Sequence, residues 1–308
     1  MAMTPPGFAR PSEAASRLDV GVISAGRVGS TLAAALARAG HRIVATSAVS
    51  EASRARAARM IPSAEILPAD EVAERAALLL IAVPDDAIAD LISGLASGGH
   101  LQPGQLVAHT SGSHGIEVLR PAASLGTLNM ALHPVMTFTG RDEDLDRLQG
   151  AAFGITADEP LRLVAEALVL EMGGEAEFVA EEARPLYHAA LSHGANHLNT
   201  LVNEAVDMLR AAGITHPERM IAPILSASLD NTLRLGDNAL TGPVARGDAN
   251  TVSAHVTALE AARPDSVAAY LAMARRTADR AIDSGRLSVE DAEPLLGVLA
   301  RRDQGDSP

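Results

Sequence analysis

Ser24-Ala25-Gly26-Arg27-Val28-Gly29 follows a β-rich run, Val20–Ile23, and opens onto a small-residue amphipathic pattern that ends at Gly40. Strand, glycine turn and helix in that order are what a dinucleotide-binding fingerprint requires. A side chain at position 26 would collide with a pyrophosphate approaching the backbone. Gly29 lets the new helix lie close to the sheet, and the helix's first unpaired N–H groups then face the phosphates. Ser24 stands where the G-x-G-x-x-G pattern has its first glycine, either as a tolerated small residue or as a hydroxyl bonded to phosphate.

A second set of residues suits the holding of a small polar substrate. His188, Ser192, Asn196 and Asn199 are spaced four, four and three apart, which puts them on one face of a helix. Asn231 lies in a later helical pattern, and the loop Thr241-Gly-Pro-Val-Ala-Arg246-Gly-Asp248 follows it. Arg246 can clamp a carboxylate in bidentate fashion, unless it pairs with Asp248 or Asp237 instead. Asp248 is also an expected helix N-cap. His193 and His197 lack a nearby carboxylate and make a poor metal site, so no metal is expected.

Three polar segments end strand patterns: Val83-Pro84-Asp85-Asp86, His109-Thr-Ser111-Gly112-Ser-His-Gly115 and Leu132-His133-Pro134. Open α/β sheets bind ligands outside the carboxyl ends of their strands, so these segments read as the floor of an active site. Asp85 or Asp86 is also expected to cap the helix that follows. Histidine, with a reference pKa of ~6.5, suits proton transfer near neutrality, which makes His133 and His188 candidate acids. On the cofactor side, the second strand ends in hydroxyls, with no carboxylate before Glu51 to hold a ribose 2′-hydroxyl. Ser47, Ser50 and Arg54, with Arg27, instead suit a 2′-phosphate, which favours NADP over NAD. The competing reading of Arg54 is a solvated helix residue.

These residues need a frame. Strand patterns at Val20–Ile23, Arg42–Thr46, Leu78–Val83, Leu106–His109, Leu128–Leu132, Ala152–Thr156 and Glu177–Val179 alternate with helical ones such as Ser53–Met60 and Leu161–Met172. Beyond about Ala180 only helical patterns follow, at Glu182–Leu209, Pro217–Leu235, Ala249–Arg263, Ser266–Ala281 and Ser288–Arg301. This predicts an α/β fold, a doubly wound and mainly parallel Rossmann sheet followed by an all-helical C-terminal domain. The expected organisation is a disordered tail at 1–17, a dinucleotide-binding domain at 18–180, a helical substrate and dimerisation domain at 181–301, and a second tail at 302–308. A cleft is expected between the two domains.

Composition narrows the function. A chain of 308 residues exceeds what one core usually sustains, which is ~250. The net charge of −13 argues against nucleic-acid and anionic-membrane partners. No apolar run approaches the ~20 residues that cross a membrane, and the polar first seventeen residues lack a signal-peptide core. A cytoplasmic location is expected. With no cysteine there is no thiolate chemistry. Lysine is also absent, so all 25 basic side chains are arginine and no lysine acid, base or Schiff base can operate.

Taken with Tyr187-His-Ala-Ala, these motifs occur in the order found in a family of Rossmann-like oxidoreductases with a helical C-terminal domain of unknown function, which the chain resembles over about residues 18–300. That family is similar to the 6-phosphogluconate dehydrogenase-like superfamily, with its pyrroline-5-carboxylate, ketopantoate and hydroxyisobutyrate oxidoreductases. The resemblance makes Ser111-Gly112 a substrate-binding element and Asn196 the helix asparagine that contacts substrate. It sets the superfamily's usual catalytic lysine near Ser192, so the lysine mechanisms do not carry over intact. The expected activity is NADPH-dependent reduction of a small keto or imino acid, with ketopantoate the leading substrate and a proton from His188 or His133. The alternatives are a pyrroline-5-carboxylate-like imine reductase and a non-catalytic NADP-binding sensor. The resemblance also implies a homodimer formed through the helical domain.

Overall fold

The computed structural model describes residues 17–300, so the expected tails lie, Arg17 apart, outside the described residues. Eight strands form one sheet: β1 (Asp19–Ile23), β2 (Arg42–Thr46), β3 (Glu65–Ile66), β4 (Leu78–Ile81), β5 (Leu106–His109), β6 (Leu128–Pro134), β7 (Ala152–Ala157) and β8 (Glu175–Phe178). Their order is β3-β2-β1-β4-β5-β6-β7-β8, parallel throughout except where β7 runs antiparallel to β6. The chain leaves β1 toward β2 on one side and returns to β4 on the other. That reversal opens a crevice at the carboxyl ends of β1 and β4.

Helices cover both faces of the sheet. They are α1 (Arg27–Arg38), α2 (Glu51–Met60), α3 (Ala69–Arg75), α4 (Asp85–Ser97), α5 (Arg120–Ala123), α6 (Glu143–Arg147), α7 (Arg162–Glu171) and α8 (Arg184–Leu191). Side chains alternate across a strand, so successive residues enter opposite cores. Val20, Val22, Leu78 and Leu80 pack with Leu32 and Leu36 of α1 and Leu168 of α7. Ile23, Leu79 and Ile81 pack with Val72 of α3 and Ile88 and Ile92 of α4. With both faces covered, β4 is buried along its whole length and reads as the unbroken apolar run Leu-Leu-Leu-Ile.

Residue contacts divide the chain into two compact units, one ending at Gly194 and the other starting at Ala195. The first helix after the strands, α8, therefore belongs to the unit that contains the sheet. The second unit holds α9 (His197–Ala211), α10 (Pro217–Leu235), α11 (Ala249–Ala262), α12 (Val267–Asp283) and α13 (Val289–Ala300). Val252, Val256, Leu271, Ala274, Leu295 and Leu299 form its main core. Among the described residues no helix is long and apolar enough to cross a membrane.

Three expectations need correction. The two-residue β3 carries no alternation and is exposed, so sequence pattern could not signal it. The strand expected to reach Val83 ends at Ile81, three residues before Pro84, the N-cap of α4. The long helix expected over Glu182–Leu209 is interrupted by a π-helical turn at Ser192–Asn196, which contains Gly194. A π turn takes more residues than an α turn, so the shared face expected of His188, Ser192, Asn196 and Asn199 is not kept in simple α-helical register.

Candidate active site

The glycine turn leaves its backbone open at the start of α1. Ser24 has φ 81°, the only positive φ on a described non-glycine residue. It adopts the left-handed conformation that the first glycine of the fingerprint usually supplies, at a cost of roughly 1–2 kcal/mol. The neighbouring strand end holds it there. Ser24 N–H donates to Ser47 Oγ at 2.9 Å, and Ala25 N–H donates to the Ser47 carbonyl at 2.8 Å. Gly29 is needed for packing, because a Cβ there would stand 2.2 Å from the Ser24 carbonyl oxygen. Gly26 is different. Its backbone is extended (φ −69°), and its nearest obstacle to a Cβ is the Ser24 hydroxyl at 3.3 Å, so the protein's own packing barely requires glycine there. As N-cap of α1 it brings no side-chain cap, leaving the first-turn amides, including those of Arg27 and Val28, for a ligand.

The hydroxyl and basic residues near this turn have partners within the protein. Ser50 is exposed and caps α2, accepting from Ser53 N–H at 3.1 Å. Arg54 Nε donates to the Ala48 carbonyl at 3.3 Å. Arg56, which sequence reasoning passed over, donates through Nη1 to the Ala25 carbonyl inside the turn at 2.8 Å. A Cβ on Gly140 would meet Arg56 Nε at 2.8 Å and Arg27 Cγ at 3.0 Å, so both arginines lie against the loop after β6. Only the spacing of three arginines along α2 (Arg54, Arg56 and Arg59) hinted at this.

At the end of β4, the expected capping by Asp85 or Asp86 is not seen. Pro84 is the N-cap of α4, without a side-chain cap bond, and Asp85 is the first helical residue. The Asp85 carboxylate instead accepts from Ser113 Oγ at 2.5 Å. Burial pushes this carboxyl upward, but the Ser113 and Ser111 hydroxyls and the nearby His114 and His188 outweigh it and hold the group below its ordinary value. Ser111 Oγ in turn accepts from the Ser113 and His114 amides, each at 3.2 Å, which sets the loop after β5.

His109 shapes that loop rather than facing a ligand. Fully buried, it lies 2.8 Å from the Gly115 carbonyl through Nε2 and accepts from Ser111 N–H through Nδ1 at 3.2 Å. One ring nitrogen must therefore donate and the other accept, which is the neutral form. Burial first, with Arg184 and His114 adding, pushes its pKa down to about 4 against the opposing Gly115 bond and Asp85.

Next to it His133, His188 and Tyr187 come together. A Cβ on Gly112 would lie 2.7 Å from His188 Cδ2 and 2.8 Å from His133 Nε2, so the two imidazoles converge on the bare backbone of the Ser111-Gly112 element. Their ring centroids are 6.1 Å apart with the planes at 88°. His133 Nδ1 lies 2.8 Å from Tyr187 Oη. Burial, followed by Arg184 and His188, pushes the His133 pKa down to about 4.

Arg184, also passed over in the sequence, is only 1% exposed. Its Nε donates to Thr156 Oγ1 at 2.7 Å and its Nη2 to the Gly154 carbonyl at 2.9 Å, with longer contacts of 3.4 Å to the Ala131 and Ser111 carbonyls. One guanidinium thus ties the β5 loop, β6 and β7 to the start of α8.

The remaining candidates lie at the end of the first unit and in the second. Ser192 opens the π turn and Asn196 closes it, serving as N-cap of α9. Asn231 is exposed on α10 and accepts from Arg234 Nη2 at 3.0 Å. Arg246 is exposed on the turn between Gly242 and Gly247, both with positive φ. Asp237 is paired with Arg280 at 2.8 Å rather than with Arg246. Asp248 caps α11 as expected, accepting from Thr251 N–H at 3.1 Å.

This architecture has relatives among solved structures. A Bacteroides fragilis protein, provisionally assigned as an NADP oxidoreductase, is similar with a TM-score of 0.72 and 24% identity, over 85% of this chain and 98% of that one. An imine reductase from Pseudomonas sp. is similar with a TM-score of 0.63 and 20% identity, over 88% of this chain and 99% of that one. The Plasmodium falciparum pyrroline carboxylate reductase, solved with NADP bound, follows with a TM-score of 0.55 and 11% identity, over 86% of this chain and 98% of its own. No curated protein matches the chain. Residues 4–134 match the Rossmann-like domain family, and residues 151–277 match DUF2520, a domain of unknown function. The chain therefore joins a Rossmann-like domain to a domain of the DUF2520 family, the pairing that its motifs resemble.

Proposed function

We propose that this chain is an NADPH-dependent oxidoreductase that reduces the C=O or C=N bond of a small carboxylate. The observation that carries the proposal is the convergence of His133 and His188 on Gly112, at the carboxyl ends of β5 and β6. The cofactor fits the residues present. Gly26 leaves its face bare with little packing reason to do so, and the first turn of α1 has no side-chain cap. Arg27 and Arg56 meet beside Gly140, and Arg54 with the Ser47 and Ser50 hydroxyls lies on the next strand end and helix. These groups would hold the pyrophosphate and the 2′-phosphate, with Val83, Pro84 and Asp85 toward the riboses. Bound there, the nicotinamide supplies a hydride.

The chain's own residues supply the rest. His188 donates the proton that neutralises the product oxygen or nitrogen, and His133 hydrogen-bonds the same atom from beside Gly112. The Ser113-bound carboxylate of Asp85 supplies negative charge close to His188. Ser111 and Asn196, by resemblance to the superfamily, and Arg246, by its bidentate guanidinium, are assigned to the substrate carboxylate and carbonyl, with Ser192 and Asn231 as further substrate-binding candidates. Ketopantoate is the first substrate to test. Cyclic imino acids form the second reading, supported by the imine and pyrroline carboxylate reductases among the structural relatives.

The test is a panel of keto acids and cyclic imino acids with NADPH, run on the wild type and on His188→Gln. Turnover that His188→Gln abolishes while NADPH binding persists supports the assignment. Tight NADPH binding with no oxidation by any substrate favours a sensor instead. We further propose a cytoplasmic homodimer built on the helical unit. Met220, Ile224, Leu229 and Leu233 leave α10 with exposed apolar side chains that suit a second copy of the chain. Light scattering of Ile224→Glu against the wild type tests it.

A further inference from the structure

Tyr187 has no role in the assignments above, yet its surroundings are built around its hydroxyl. Its Oη lies 2.8 Å from His133 Nδ1, with the ring planes at 87°. Gly154 stands directly opposite His133 in the antiparallel pairing of β6 and β7, and a Cβ there would come within 2.3 Å of that oxygen. Beneath the phenol ring, the Arg184 guanidinium lies 5.6 Å from the centroid, itself fixed by Thr156 and Gly154.

The direction of the hydrogen bond follows from this arrangement. Burial pushes the phenol pKa upward, against the nearby Arg184 guanidinium and Gly154 backbone, so the phenol keeps its hydrogen. Its own hydrogen is left for His133 Nδ1, its hydrogen-bonding acceptor among the described residues. A ring that accepts at Nδ1 carries its proton on Nε2. Nε2 is the atom that faces Gly112, 2.8 Å from where a Cβ would stand.

We propose that Tyr187 is a positioning residue that locks His133 in its neutral Nε2–H tautomer, so that the ring offers substrate a hydrogen bond rather than a proton. The groups facing His133 agree. Arg184 and His188 on α8 disfavour a second proton, with only Asp85 at the start of α4 opposing them. A neutral donor polarises the bond to be reduced and leaves proton supply to His188. The role in reduction rests on the reductase reading; the tautomer does not.

The experiment is imidazole ¹⁵N NMR on the full-length chain, with His133 assigned by difference against His133→Gln, between pH 5 and 8. The expected wild-type spectrum shows His133 protonated at Nε2 alone across that range, with its Nδ1 resonance shifted by the phenol. In Tyr187→Phe, checked for its fold by circular dichroism, Nδ1 moves to the position of an unbonded nitrogen. Protonation at Nδ1, or a spectrum unmoved by Tyr187→Phe, overturns the proposal. These readouts need no turnover, so a silent substrate panel beside the expected spectrum removes the reductase reading alone. Where turnover is found, Tyr187→Phe lowers kcat about tenfold, the worth of one well-placed hydrogen bond, with the Kd for NADPH unchanged. An unchanged kcat overturns the positioning role.

Discussion

Gly154 faces His133 across the antiparallel pairing of β6 and β7, and the space left by its missing side chain is where Tyr187 Oη sits. The strand register thus decides which histidine the tyrosine reaches. Gly154→Ala would put a methyl group 2.3 Å from that oxygen, within a well-packed sheet. Expelling the ring costs about 1–3 kcal/mol as overpacking and separates Tyr187 from His133. Urea unfolding should show that loss, and the His133 Nδ1 signal should change as it does in Tyr187→Phe. A variant as stable as the wild type would mean that the tyrosine sits elsewhere.

The two glycines of the turn should separate folding from ligand binding. Gly29→Ala forces a Cβ to within 2.2 Å of a backbone oxygen, so the protein should lose roughly 2 kcal/mol or more of stability. Gly26→Ala meets only a serine hydroxyl at 3.3 Å and should fold nearly as well. Its NADPH affinity should nevertheless fall at least ~10-fold, because the methyl group projects where the pyrophosphate must approach. Thermal melts and calorimetric titration together read both effects. Equal stability losses in the two variants would contradict the assignment.

Arg56, rather than Arg54, is expected to govern the choice between phosphorylated and unphosphorylated cofactor. It is tied to Ala25 inside the turn at 2.8 Å, whereas Arg54 is exposed and reaches only the Ala48 carbonyl. Arg56→Ala should weaken NADPH binding by ~1.5–3 kcal/mol, the range of a charge-assisted hydrogen bond, and change NADH binding far less. Fluorescence titration with both nucleotides decides the matter. A parallel loss for the two would assign Arg56 to the turn's structure alone.

Acid should destabilise the fold through His109. The unfolded chain takes up this proton near pH 6.5 and the folded chain only at about 4, so the unfolded state binds more protons in between. Stability from this residue is therefore complete above pH 6.5 and is lost as pH falls toward 4, amounting to ~3 kcal/mol over the window. His133, pushed down by burial in the same way, adds in the same direction. Denaturation midpoints of His109→Gln should fall less steeply with acid than those of the wild type, by up to about 1 kcal/mol per pH unit. Parallel slopes would show that His109 is solvated in the folded chain.

Much of the frame was legible in the chain itself. Arg42–Thr46 and Leu106–His109 stand at the strand ends read from sequence, and α10 spans Pro217–Leu235 as expected, because apolar runs bounded by proline and glycine depend on nearby residues only. The glycine turn was legible for the same reason. The short β3 and the π turn at Ser192–Asn196 were not, since neither leaves a periodic signature. Ser24 is the instructive middle case. Its position was plain, but its left-handed backbone depends on hydrogen bonding to Ser47, 23 residues away.

The sequence by itself determined the sheet, its doubly wound faces and the fingerprint, and the absence of lysine and cysteine from any chemistry, because these follow from composition and short-range pattern. Tertiary structure alone decided that Arg184 is buried beneath Tyr187, that Asp85 serves Ser113 rather than a helix cap, and that His133 and His188 meet over Gly112. Each of those contacts joins residues separated by roughly twenty to eighty positions except within α8, and their proximity is set by strand order and register, which no local pattern encodes.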